Sequence, residues 1–143
     1  MNVLVVNGPN LNLLGEREPD IYGRTTLREL EHTVRQHARA LGMRIRFFQS
    51  NHEGKIIDEL HRRRRWAEGI VINPGAFTHY SYAIRDALAA VALPAIEVHL
   101  SDIDAREGWR RVSVVRDVCH AARAGRGVDS YLDALDLLAG RSS

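Results

Sequence analysis

The sequence predicts an α/β protein, a doubly wound sandwich built on a five-stranded parallel sheet. Three observations predict it. Short apolar runs alternate with segments of helical periodicity from the first residues to the last. The runs at residues 2–6 and 70–72 are continuous rather than alternating, as strands buried on both faces are. A chain of 143 residues suits one compact domain, taken here as residues 1–143.

The elements follow in order. Residues 2–6 read as the first strand. Residues 26–41 carry apolar side chains near helical spacing, with Thr25 or Thr26 as N-cap, Glu29 in the first turn and Gly42 as the stop. Residues 44–49 read as a strand and 56–66 as a helix. Residues 70–72 form a third strand, ended by Asn73, Pro74 and Gly75. An alanine-rich helix spans 81–91, and Pro94 closes the turn after it. Residues 95–100 read as the fourth strand and 112–115 as a short fifth. A last helix spans 131–139, closed by Gly140. Strands alternating with helices imply βαβ units, and five such strands fit a flavodoxin-like order.

Composition excludes several classes. Net charge is +2, so no strong field favours nucleic acid. The run Arg62 to Arg65 has no aromatic residues interleaved with it and reads as a solvated helix face. One cysteine, Cys119, allows neither an internal disulfide nor a cysteine-only zinc site, and suits a reducing compartment such as the cytoplasm. The first residues lack a basic start and a signal-length apolar run. No stretch approaches the roughly 20 apolar residues of a membrane span.

One connection is unusual. Roughly 18 residues, 7 to 24, separate the first strand from the first helix, against a usual 2–6. A loop of that length reads as a lid or binding loop. In open parallel sheets ligands bind beyond the carboxyl ends of the strands, where the strand order reverses. Polar residues at those ends are Asn7, Asn10, Asn12, Arg17, Glu18 and Tyr22 after the first strand. Asn73, Thr78, His79 and Ser81 follow the third. The fourth carries Glu97, His99, Ser101 and Asp102. There is no Ser-His or Cys-His nucleophile pair, no metal-ligand spacing and no P-loop. Proton transfer on an organic substrate remains. His99 reads either as a general acid or as a satisfied core residue. Tyr22 reads as packing or as a general base, its phenol made more acidic by Arg17. His79 reads as a ligand contact or a helix-end contact. Glu97 falls on the same side of its strand as His99, to orient it or to pair with a surface base.

Three motifs then stand out: NGPNLNLLGEREPDIYGRTTL at 7–27, NPGAFTHYSYAIRDAL at 73–88 and PAIEVHLSDIDAR at 94–106. Together they resemble the type II 3-dehydroquinate dehydratases, with matching spacing across most of the chain. The resemblance implies a reversible trans-dehydration of 3-dehydroquinate to 3-dehydroshikimate through an enolate, without cofactor or metal. It implies Tyr22 as base, Arg17 as the group that acidifies it, Asn10 near the enolate oxygen, and His99 as acid with Glu97 behind it. It gives substrate contacts to Asn73, His79, Asp86, Leu100, Ser101 and Arg110. It also implies a homo-oligomer, a dodecamer of trimers, in which Asp86 reaches a neighbour's site.

The sequence departs from that pattern at Asp102, Asp104, Gly108 and Ser130, where the family carries Asn, His, an acid and Gly. An ionised Asp102 facing the cavity would weaken binding of an anionic substrate. The competing reading is a non-catalytic or substrate-shifted paralogue that keeps the assembly and binds a related acid. A receiver-type module fits poorly, because Asn7-Gly8-Pro9 stands where its acids would be.

Overall fold

A computed structural model of the protein describes residues 1–16 and 19–141, with Ile21, Tyr22 and Arg141 described through their backbone alone. Its strands are β1 (Asn2–Asn7), β2 (Arg44–Gln49), β3 (Gly69–Asn73), β4 (Ala95–His99) and β5 (Ala121–Ala124). They lie in the order β2-β1-β3-β4-β5, and every neighbouring pair is parallel. The helices are α1 (Pro19–Tyr22), α2 (Leu27–Ala40), α3 (Glu53–Arg63), α4 (Tyr82–Val91) and α5 (Asp129–Arg141). None is long and apolar enough to cross a membrane among the described residues.

Strand alternation assigns the helices to faces. Val3, Val5, Val71, Ile96 and Val98 pack with Leu30 and Val34 of α2 and with Tyr131, Leu135 and Leu138 of α5. Leu4, Val6, Ile70, Ile72 and Ala95 pack on the other face with Ile56 and Leu60 of α3 and Ile84 and Leu88 of α4. The sheet is thus dry on both sides, which is why its central strands read as continuous apolar runs.

Two sequence expectations need correction. The apolar run at 112–115 is not the fifth strand. It lies between 3-10 turns at Gly108–Arg111 and Arg116–Val118, and the Val114 N–H bonds the Thr78 carbonyl rather than a strand. Val115 anchors this segment with no exposed surface, whereas Val112 is half exposed. The fifth strand is Ala121–Ala124, an edge held to β4 through its backbone. Nor does Gly140 end the last helix, which begins at Asp129 and runs through Gly140 to Arg141. Smaller shifts affect α3, which begins at Glu53, and β4, which ends at His99. Thr26 is the cap of α2, its hydroxyl accepting the Glu29 N–H at 3.2 Å.

The site lies where the strand order reverses. β1 and β3 end in register at Asn7 and Asn73, and the next residue, Gly8, donates its N–H to the Asn73 carbonyl at 2.8 Å. A Cβ on Gly8 would collide with the Pro74 carbonyl, so the two chain ends approach this closely only with glycine there. The long connection after β1 contains a 3-10 turn, Leu11–Leu13, and helix α1.

Candidate active site

A cavity opens beyond the ends of β1, β3 and β4. Asn10, Asn73, His79, His99, Leu100, Ser101 and Arg110 all line it. Asn10 enters it from a left-handed backbone, φ 68°, a conformation asparagine tolerates better than most residues. Its N–H is held by Asn51 Oδ1 at 2.9 Å.

Glu97 stands behind His99 on β4. The two share one face of the strand, and His99 Nε2 lies 2.6 Å from Glu97 Oε2. Glu97 is fully buried. Its carboxylate also accepts from the hydroxyls of Thr78, at 2.6 Å, and Ser113, at 2.9 Å. Arg116 Nε adds an ion pair at 3.5 Å. Burial by itself would raise this carboxyl. Its hydrogen bonds and the charge of His99 outweigh that effect and hold it below the ordinary glutamate value. Because the ionised carboxylate only accepts, His99 Nε2 must be the donor. The ring's other nitrogen, Nδ1, is then the one available for proton transfer.

His79 is set differently. Its Nδ1 lies 2.6 Å from the Val112 carbonyl, so Nδ1 carries hydrogen and donates. Its ring meets Trp109 edge-on at 5.2 Å. Burial pushes its pKa down, only partly opposed by the Val112 bond. The neutral ring therefore offers Nε2 as an acceptor. On the same wall, Arg106 and Arg110 line the cavity. The Arg110 guanidinium stacks 4.2 Å from the Trp109 centroid and donates through Nε to Glu107 at 2.7 Å. Two guanidinium groups on one wall suit an anionic ligand.

Not every sequence candidate is here. Asp86 is exposed on α4 and does not line the cavity. Arg17 lies outside the described residues. Tyr22 ends α1, its side chain likewise outside the description. Asp102 does not face this cavity. Its carboxylate accepts the Asp104 N–H at 3.0 Å, capping the turn Ile103–Ala105, and it borders a separate adjoining hollow with Gly125 and Val128. The expected clash with an anionic ligand therefore loses its geometric basis. Ser130 is fully buried and accepts the Arg126 N–H at 3.1 Å. Among the described residues no group of three or more His, Cys, Asp or Glu could hold a metal.

The family model described as "Dehydroquinase class II" matches residues 1–139. The chain belongs to the class II dehydroquinases. A relative named 3-dehydroquinate dehydratase, from Bacillus licheniformis, is 52% identical, covering 91% of this chain and 90% of its own. The type II dehydroquinase structure from Butyrivibrio crossotus superposes with a TM-score of 0.95 at 46% identity, covering 96% of this chain and 97% of that one. That from Propionibacterium acnes gives a TM-score of 0.93 at 42% identity, covering 97% and 96%.

In this dehydroquinase several residues around the site went unmarked by sequence reasoning. Ser113, which bonds Glu97, lies in the run 112–115 that reads as a strand, and Arg116, which pairs with Glu97, lies in the 3-10 turn just beyond it. Arg106 and Trp109 line the cavity from turns with no periodicity. Tyr131 was visible only as the start of a helix.

Proposed function

We propose that this cavity dehydrates 3-dehydroquinate to 3-dehydroshikimate, the hydro-lyase reaction of its family, by trans elimination through an enolate. The observation that carries the proposal is the His99–Glu97 pair facing a cavity walled by Arg106 and Arg110. In this scheme Tyr22, made more acidic by Arg17, takes the proton on the carbon next to the ketone. The C–H electron pair becomes the enolate, stabilised near Asn10. As the enolate collapses, the C–O bond breaks, and His99 Nδ1 delivers the proton that lets the hydroxyl leave as water. Asn73, His79, Arg110 and the backbone at Leu100 and Ser101 hold the hydroxyls and carboxylate. The product is a conjugated enone. The same step serves aromatic biosynthesis and quinate breakdown.

The deciding experiment adds 3-dehydroquinate to the purified protein and follows ultraviolet absorbance. Growth of the enone band supports the reading, and its absence overturns it. Tyr22→Phe should then lower turnover by about 10²–10⁴-fold, and Arg17→Ala should act in the same direction. More than a tenth of the wild-type rate in Tyr22→Phe would remove Tyr22 from the role of base. The scheme draws only on groups of the chain itself, so dialysis against a strong chelator should leave the rate unchanged.

The assembly we propose is a dodecamer of trimers in the cytoplasm. Asp86 is exposed beside Tyr82, and Tyr80, Trp109 and Val112 are also more than half exposed. Such apolar exposure suits a buried subunit contact. Light scattering that finds an active monomer would refute it.

A further inference from the structure

Behind the cavity, three side chains from three elements form one hydrogen-bonded chain. Tyr131 of α5 and Asn7 of β1 are fully buried. Asn73 of β3 is 3% exposed and lines the cavity. Asn7 and Asn73 are register partners, so their side chains rise on the same side of the sheet, the side that α5 covers.

The direction of each bond follows from the inventory of donors. The Gly75 backbone N–H can only donate, and it lies 3.1 Å from Asn73 Oδ1, which identifies that atom as the amide oxygen. Asn73 Nδ2 then donates to the Tyr131 hydroxyl at 2.9 Å. The phenol has one proton, which goes to Asn7 Oδ1 at 2.6 Å. Asn7 Nδ2 is left buried with no partner among the described residues. Asn73 Nδ2 has a second hydrogen, and the residue lines the cavity.

We propose that Tyr131 is a positioning residue: through it the last helix sets the Asn73 amide so that the cavity meets N–H and not C=O. The site thereby selects an oxygen acceptor on its ligand at this point. Tyr131 touches no ligand and acts through Asn73. The identity of the ligand rests on the dehydratase reading above; the polarity of the chain does not. Without the phenol oxygen, Asn73 Nδ2 loses its acceptor and the amide is held at one end only. Without the Asn7 oxygen, the phenol proton can turn to Asn73, whose amide then rotates to accept it.

The test is steady-state kinetics with 3-dehydroquinate on wild type, Tyr131→Phe, Asn73→Ala, the double variant and Asn7→Ala, with melting curves alongside. Tyr131→Phe should raise KM about fivefold to tenfold, the scale of one hydrogen bond, with kcat within a factor of about two. Added to Asn73→Ala, it should change KM by less than about twofold, because the two act as one unit. Asn7→Ala should raise KM in the same way, and decides alone if Tyr131→Phe does not fold. A lowered melting temperature with wild-type KM in these variants overturns the proposal, as does an equal KM factor in both Asn73 backgrounds. If the wild type forms no enone, the dehydratase reading fails by itself. Crystal structures of Tyr131→Phe and Asn7→Ala then decide: an Asn73 side chain unmoved in both overturns the positioning role, and a displaced or rotated one supports it.

Discussion

His99 Nε2 stands 2.6 Å from Glu97 Oε2, two residues back along the same strand, so imidazole and carboxylate share one pleat of β4. The carboxylate in turn is tied to Thr78 and Ser113 and paired with Arg116. The imidazole is therefore held by an acid that is itself held.

That arrangement ties catalysis to stability. His99→Ala should lower kcat by about 10²–10⁴-fold, and because it takes one partner from the buried Glu97 carboxylate it should lower the melting temperature as well. Glu97→Gln should lower both, since an amide nitrogen cannot accept the bonds that a carboxylate oxygen accepts, and a buried group left without its partner costs about 1–3 kcal/mol. Paired rate and thermal-unfolding measurements check this. A wild-type melting temperature in His99→Ala would contradict it.

The same carboxylate predicts an acid limb in stability. Its folded pKa lies below the ordinary value of 4.5, so in that window the unfolded chain binds more protons than the folded one. Stability from Glu97 is then complete above about pH 4.5 and is lost as pH falls through the folded value. Denaturant midpoints measured between about pH 3 and 6 should fall toward acid. The fall should be shallower in Glu97→Gln; parallel curves would remove Glu97 as its source.

Asp102 acts on a turn and not on the ligand. Asp102→Asn keeps a side-chain oxygen for the Asp104 N–H, so KM and stability should both stay near wild type. Asp102→Ala removes the cap and should cost about 1 kcal/mol, again with KM unchanged. A drop in KM for Asp102→Asn would return this charge to the substrate's neighbourhood.

Gly8→Ala tests the closeness of β1 and β3. The added methyl would overlap the Pro74 carbonyl, a backbone atom that cannot swing aside. Overpacking of this kind costs about 1–3 kcal/mol. Because the displaced ends carry Asn10 and Asn73, activity should fall further than stability does. Unfolding and turnover measured on one preparation compare the two.

The central sheet was legible because both its faces are dry. Val3 to Val6 and Ile70 to Ile72 leave little choice of element. The fifth strand was not, because edge pairing is made by the backbone and Ala121–Ala124 has small side chains and one arginine. The run at 112–115 is the more apolar of the two and reads more like a strand, yet only Val115 is buried there, between two 3-10 turns. At the site, strand spacing placed Glu97 with His99, since two residues make one full period. Thr78 stands out in the sequence by its place after β3, with no sign of its partner. Ser113, Arg116 and Tyr131 depend on contacts between segments far apart in sequence, and no local period encodes those.

The bond from Tyr131 to Asn7 spans 124 positions in the sequence. On the ribosome β1 emerges before α5, so the polar chain behind the cavity can close only after the whole stretch between them has been made. A nascent chain halted before α5 could pair β1 with β2 and β3, yet would leave Asn7 and Asn73 without the phenol between them. Synthesis arrested at that stage should yield sheet structure before it yields an ordered pocket, so that competence to bind waits for α5 to emerge.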